Sequence, residues 1–204
     1  MSGSIAFRSR SFKFLFLLSL LGLLLSGCGF NSIPTYEVTA KAKWSDALNQ
    51  YQRRADLIPN LVEIVKGFAK QESSVLEAVA AARAQATSIK VDASTIKDPE
   101  MFKKFQEAQT QLSGSLRRLL AISENYPDLK SNQNFLVLQS HLEGTENRIA
   151  AARHDYIDAV RLYNTELRTF PRSVWASIFY THNKPMEDFA IADSTKAPPQ
   201  VQFN

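Results

Sequence analysis

The densest set of side chains that could do chemistry surrounds a single proline. Five charged or amide residues lie close to Pro59 in the sequence: Arg53, Arg54, Asp56, Asn60 and Glu63. On a helix, Arg53 and Asp56 are three positions apart and can pair, while Asn60 can cap backbone groups that the proline frees. Two interpretations follow. We favour a polar seam that fixes helix register, and the alternative is a pocket at Pro59 that binds a small ligand or catalyses a reaction.

A second acidic group, with His141, Glu143 and Glu146, raises the question of a metal. Its spacing matches neither the Glu-x-x-His motif of di-iron bundles nor His-Glu-x-x-His. The chain also contains no G-x-S-x-G nucleophile motif and no glycine-rich phosphate loop. We therefore predict no metal, no cofactor and no enzymatic activity.

The only cysteine, Cys28, follows an apolar run of about 12 residues that is preceded by three basic residues and no acidic ones. Leu25-Ser26-Gly27-Cys28 resembles the bacterial lipobox, which predicts a cleaved lipoprotein signal peptide over residues 1–27 and fatty acids such as palmitate on Cys28. Residues 28–36 would form a tether. The alternative is an uncleaved anchor helix with a free cysteine. Both interpretations place the remaining chain on the extracytoplasmic side.

The net charge of the mature chain limits which classes of partner it is expected to bind. The signal segment carries three of the 24 basic residues and none of the 20 acidic ones, so 21 basic residues face 20 acidic ones in the mature chain. Such neutrality excludes nucleic acid as an expected partner, since that partner requires a basic surface. We expect the bilayer, through acylated Cys28, and an envelope protein as partners. Gly29 rather than Asp after the cysteine slightly favours the outer membrane, facing the periplasm, over the inner membrane.

Hydrophobic periodicity predicts the elements that position these residues. Apolar residues recur every three or four positions over three stretches, which indicates an all-α fold. One stretch runs from Glu37 past Pro59, where we expect a kink or a restart. A loop follows over residues 88–98, and Asp98-Pro99 is typical of a helix start. The second row is Phe102, Phe105, Gln109, Leu112, Leu116, Leu119, Ser123 and Tyr126.

The third row starts near Ser131 and is stopped by Pro171, and its members are Phe135, Leu138, Leu142, Thr145, Ile149, Ala152, Tyr156, Ala159, Tyr163, Leu167 and Phe170. Helices of this length are stable only when they pack on partners. The pattern predicts one domain over residues 37–190, a long antiparallel bundle of three to four helices. Tyr156 and Tyr163 are expected in the core with hydrogen-bonded tips.

Two features follow the last long helix. Trp175, Phe179 and Tyr180 suggest an exposed docking patch. Residues 191–204, which contain Pro198-Pro199, are predicted to form an extended strap or a disordered tail.

Several blocks of the sequence resemble the LemA family. The most specific is RRADLIPNLVE, residues 53–63, and further blocks are Trp44-Ser45-Asp46, LEGTENRIA at residues 142–150 and APPQVQF at residues 197–203. The resemblance implies a membrane-anchored, mostly helical protein without an established enzymatic activity. Many members of the family use a spanning N-terminal helix, whereas this chain has a shorter run that ends in a lipobox. We therefore expect this protein to act as a helical scaffold or interaction module of the cell envelope.

Overall fold

The computed structural model describes residues 31–189 and, before them, Ser19 alone. Residues 31–189 are mostly helical and contain no strand, so the all-α prediction is confirmed. Cys28 and most of the predicted signal peptide lie outside the described residues, as does the tail at residues 191–204. The helices are α1 Ser32–Phe68, α2 Ser73–Ser88, α3 Pro99–Ser123, α4 Pro127–Lys130, α5 Gln133–Arg168 and α6 Arg172–Phe179.

Side-chain caps set the starts of α3 and α5. The Asp98 carboxylate accepts hydrogen bonds from the backbone N–H groups of Glu100 and Met101, at 3.0 and 3.1 Å, as expected of an N-cap before Pro99. Asn132 caps α5 in the same way. The beginning of α1 differs from expectation, because the helix starts at Ser32 and includes part of the predicted tether.

The two longest helices, α1 with 37 residues and α5 with 36, run antiparallel. Each is about 55 Å long at 1.5 Å per residue. At one end the Ser32 hydroxyl donates to Glu166 at 2.8 Å, and further along Lys43 pairs with Asp155 at 2.9 Å. We call the end that holds Ser32 and Glu166 the proximal end, because it lies nearest to Cys28 in the sequence.

The bundle has two apolar clusters along its length. The distal cluster joins α1 to α2, α3, α4 and the start of α5, around residues such as Ile58, Leu112 and Phe135. The proximal cluster is aromatic and centres on Trp44, which packs on Phe102, Phe105, Tyr156 and Phe189 at centroid distances of 5.2–5.9 Å. With only 16 residues, α2 contributes its buried side chains to the distal cluster alone.

The proximal end is closed by residues 181–189, an irregular stretch after α6 that we call the strap. Its backbone carbonyls at Lys184 and Glu187 accept hydrogen bonds from Tyr163 and Tyr156, at 3.2 and 2.6 Å. The expectation of buried tyrosines with hydrogen-bonded tips is thus confirmed. Burial raises the pKa of both hydroxyls well above the ordinary tyrosine value.

Further contacts hold the strap on the bundle. The Asn164 amide both donates to the Met186 carbonyl and accepts from its N–H group, at 2.9 Å each. Met186 and Phe189 are buried in the aromatic cluster. Residues 181–189 therefore pack on the helices as an irregular cover rather than as a further helix.

The predicted rows are confirmed with one exception. In α3, every member from Phe102 to Ser123 is buried, and Tyr126 after the helix is half-buried. In α5 the row is buried or half-buried through Leu167, but the assignment of Phe170 was wrong. Its side chain is 84% exposed, because α5 already ends at Arg168 and the chain turns into α6.

Candidate functional site

A buried arginine lies between the two apolar clusters. Arg54 is 1% exposed, and its guanidinium donates to Ser113 at 2.7 Å, Glu146 at 2.8 Å and the Gln109 side chain at 2.5 Å. These partners come from α3 and α5, so one side chain of α1 links three helices. The guanidinium also lies 5.3 Å from the ring centroid of Tyr51.

This polar layer constrains the register of the helices. Moving α3 or α5 by one residue along α1 would leave a buried positive charge without its acceptors, which is costly in an apolar interior. Glu146, the counter-charge, is 42% exposed at its side chain, whereas Arg54 is enclosed. The Arg54 Nε atom is buried without a hydrogen-bond partner among the described residues.

Tyr51 lies beside this polar layer, and the charge of Arg54 affects the pKa of its hydroxyl. Burial raises the pKa of the Tyr51 hydroxyl, and the positive charges of Arg153 and Arg54 oppose part of that rise. Tyr51 therefore stays protonated, in edge-to-face contact with Phe105 at 5.1 Å.

Pro59 is exposed, and α1 continues through it as one helix rather than restarting. Proline has no N–H group, so the carbonyl of Ala55, four residues earlier, lacks its helical donor. Arg83 of α2 replaces that donor, since its Nε donates to the Ala55 oxygen at 2.8 Å. The donor predicted for this position was Asn60, which is exposed, and the donor found is supplied by a neighbouring helix.

The other four residues predicted around Pro59 are exposed and have separate surroundings. Asp56 accepts from Gln52 at 2.8 Å, and Glu63 lies 3.9 Å from Lys66. Arg53 and Asn60 face solvent. Of the predicted seam, the structure therefore brings only Arg54 into a buried network, and its partners come from α3 and α5 rather than from α1.

A groove of about 570 Å³ lies beside this network, between α3 and α5. Its apolar part is formed by Leu116, Leu120 and Leu142. The polar part includes Ser113 and Glu146, the two Arg54 ligands that reach the surface, and Arg117, Glu143 and Asn147. A leucine floor with a charged rim suits the apolar face of an amphipathic helix or a similar protein segment.

The acidic residues that raised the metal question take part in this groove without converging. His141 is exposed, and Glu143 accepts from Gln139 on its own helix at 3.0 Å. Within residues 31–189, no three histidine, cysteine or carboxylate side chains are grouped as metal ligands.

A second polar node fixes the proximal end. Glu166 is 8% exposed, and its carboxylate accepts a hydrogen bond from Ser32 at the start of α1. It also pairs with Arg172 at the start of α6, whose two guanidinium nitrogens lie 2.8 and 2.9 Å from the carboxylate oxygens. Next to it, Glu37 of α1 accepts from Lys97 at 2.9 Å and from Asn183 of the strap at 3.1 Å. Burial alone would raise the pKa of Glu37, but the bonds and charges of Lys41 and Lys97 outweigh it and lower this pKa.

The aromatic docking patch predicted after α5 is divided in the structure. Phe179 is 57% exposed, whereas Tyr180 packs against the proximal cluster. The side chain of Trp175 is outside the described part of the chain. Among the described helices, none has both the length and the apolar character needed to span a bilayer.

Sequence reasoning missed three contributors to this site and to the packing around it: Arg83, Gln109 as an acceptor for Arg54, and the strap. Gln109 carried the available signal, because it is a polar residue in an otherwise apolar row and therefore indicates a buried polar partner. No sequence feature near Arg83 indicated its role, because that role depends on a proline in another helix.

The fold and this site together define an all-helical bundle protein with a register-fixing polar layer and an open groove along one side. The chain belongs to the LemA family, whose model matches residues 43–203. It is also similar to magnetosome protein MamQ of Magnetospirillum gryphiswaldense, with 26% identity over 79% of this chain and 68% of the relative. Magnetosome proteins MamQ 1 and MamQ 2 of Paramagnetospirillum magneticum are 27% identical over the same shares.

Proposed function

We propose that this protein is a non-enzymatic, lipid-anchored scaffold of the cell envelope that presents its groove to an amphipathic helix of another envelope protein. Membership of the LemA family and similarity to magnetosome proteins support association with a membrane. The lipobox at Cys28 supports anchoring by acyl chains, which hold a protein stably when two or more are attached. Gly29 after the cysteine supports the outer membrane, on its periplasmic face.

The single observation that carries this proposal is the distance of the groove from the proximal end of the bundle. Arg54 lies 22 residues after Ser32 on a continuous helix, which places the groove about 33 Å from the proximal end at 1.5 Å per residue. A bundle held at the proximal end therefore keeps the groove away from the bilayer and accessible to a protein.

The chemistry of the groove supports binding rather than reaction. Arg54 directs its terminal nitrogens to Ser113, Gln109 and Glu146, so its charge is used within the protein. Half-buried Leu120 supplies accessible apolar area, whereas Leu116 and Leu142 are almost fully buried, and Arg117 and Glu143 on the rim supply charges of both signs for orientation.

The anchor is tested by mass spectrometry of the mature N-terminus and by membrane fractionation. We expect an acylated Cys28 as the first residue, in the outer membrane fraction, and release of a Cys28→Ser variant from that membrane or its retention as an uncleaved precursor. An unmodified Cys28 at the N-terminus of a soluble wild-type protein would contradict anchoring.

The groove is tested with a photoreactive residue at position 117 in intact cells. Position 118 is the matched control, because Arg118 is exposed on the same helix and lies outside the groove. We expect a crosslinked protein from 117 and little from 118. Equal yields at the two positions, or none at 117, would contradict the groove as the partner surface.

A further inference from the structure

The proximal end of the bundle carries an exposed apolar surface on α6. Phe170, Val174 and Ile178 are 84%, 45% and 60% exposed. They are four residues apart, so Val174 and Ile178 share one face of α6, and Phe170 precedes that face at the turn. We call these three residues the α6 patch.

The opposite face of α6 is packed against the protein. Ala176 and Tyr180, again four residues apart, contact the proximal aromatic cluster. Arg172 holds the start of the helix through its ion pair with Glu166. The α6 patch is therefore presented outward on a helix whose position is fixed.

The α6 patch lies beside the point where the chain enters the bundle. Glu166 accepts from both Ser32 and Arg172, so α6 starts beside the first turn of α1. Cys28 precedes Asn31 by three residues, a span of at most about 11 Å of extended chain. An acyl group on Cys28 would thus hold the patch at the level of the bilayer surface.

The charge of the segment matches such a surface. Residues 168–184 contain Arg168, Arg172 and Lys184 and no acidic residue, and of these Arg172 is paired with Glu166. Arg168 and Lys184 are exposed. Basic residues beside an exposed apolar helix face are typical of helices that lie in the interface of an anionic membrane.

From these observations we infer that the α6 patch inserts into the bilayer interface beside the anchor and orients the bundle on the membrane. The inference rests on the proposed anchoring at Cys28. The occupant is the anionic lipid surface, and Phe170, Val174 and Ile178 supply the apolar contact. Anchor and patch then form two attachment points, so the long helices take a fixed angle to the membrane and the groove a fixed height above it.

The test uses the full acylated protein in vesicles of phosphatidylethanolamine with a minority of phosphatidylglycerol. A nitroxide label is attached to the cysteine of Ile178→Cys, and the control label to Val137→Cys, which is 43% exposed in the wild type and lies near the distal end of the bundle. We expect the label at 178 to be several-fold less accessible to a water-soluble relaxation agent, and more accessible to oxygen, than the label at 137. Equal water accessibility of the two labels would overturn the inference.

A second variant tests whether the position of the label depends on the apolar character of the α6 patch. Val174→Asp in the protein labelled at 178 places a charge on the patch, and we expect about a tenfold shift of the label towards water, equivalent to about 1.4 kcal/mol. Circular dichroism checks that the exposed substitution leaves the helices intact. An unchanged label would overturn the inference.

The outcomes separate this inference from the proposed function. A protein that stays in the membrane fraction with acylated Cys28 while residue 178 remains in water removes the inference and leaves the anchor. A protein that does not associate with membranes removes the anchor itself. Protection of residue 178 that persists in detergent, with crosslinks to a protein, would instead identify α6 as a protein contact and overturn the lipid assignment.

Discussion

Arg83 and Ala55 are joined by a hydrogen bond that exists because of a third residue. The Arg83 Nε atom donates to the Ala55 carbonyl at 2.8 Å, and that carbonyl is the one that Pro59 leaves without a helical donor. The long helix α1 thus continues through its exposed proline with the help of α2. Half-buried Arg83 contributes through a specific acceptor rather than through its charge alone.

Arg83→Met should lower the free energy of unfolding by about 1–3 kcal/mol, because it removes the donor and leaves a carbonyl unsatisfied. The measurement is chemical denaturation followed by circular dichroism. Pro59→Ala restores a backbone N–H to Ala55, so the same Arg83→Met change should cost about 1 kcal/mol less in that background. Identical losses in both backgrounds would show that the bond to Ala55 is not what Arg83 contributes.

Arg54→Ala should destabilise the protein by about 3 kcal/mol or more, because it removes a buried side chain and leaves polar partners unpaired. The adjacent Arg53→Ala is the matched control, since Arg53 is exposed, and it should change stability by less than about 0.5 kcal/mol. Glu146→Gln should have an intermediate effect, because Glu146 is half-exposed. Denaturant melts of the three variants test the order, and similar losses for Arg53→Ala and Arg54→Ala would contradict the buried network.

The strap should contribute to stability as a packed element. Phe189→Ala is expected to cost about 3 kcal/mol, since the ring fills a site against Trp44, Phe102 and Tyr156. Tyr156→Phe removes only the bond to the Glu187 carbonyl and should cost about 1 kcal/mol. Limited proteolysis is a second readout, with faster cleavage within residues 181–189 expected for Phe189→Ala. The exposed Phe179→Ala serves as the control, and a loss equal to that of Phe189→Ala would argue against a packed strap.

Stability should fall in acid partly through Glu37. Its pKa is lowered in the folded protein from an ordinary value of 4.5, so its stabilising contribution is fully present above that value and is lost as the pH falls through the folded pKa. Glu37→Gln should therefore be less stable than wild type at neutral pH, by about 1 kcal/mol. The difference should shrink as the pH falls below 4.5 and through the lowered pKa of folded Glu37. Unfolding curves over this range decide the matter, and a constant difference would exclude titration of Glu37 as the cause.

The linear sequence determined the helices and the buried face of each. The periodicity of α3 and α5 fixed which face of each helix is buried, because a helix repeats every 3.6 residues whatever it packs against. The Asp98-Pro99 start was equally readable, since both residues act on the backbone next to them. The resemblance to the LemA family and the lipobox-like spacing of Leu25-Ser26-Gly27-Cys28 were likewise properties of the linear sequence.

Only the tertiary structure decided which polar residues meet. Arg53 and Arg54 are identical neighbours in sequence, yet one faces solvent and the other is enclosed, with acceptors 55 to 92 residues away. Arg83 acquires its role from a proline 24 positions earlier, and Phe189 enters a cluster built from three helices. Local spacing determines helices because their hydrogen bonds span four residues, whereas buried polar contacts and the strap depend on how separate helices align, and no local pattern encodes that alignment.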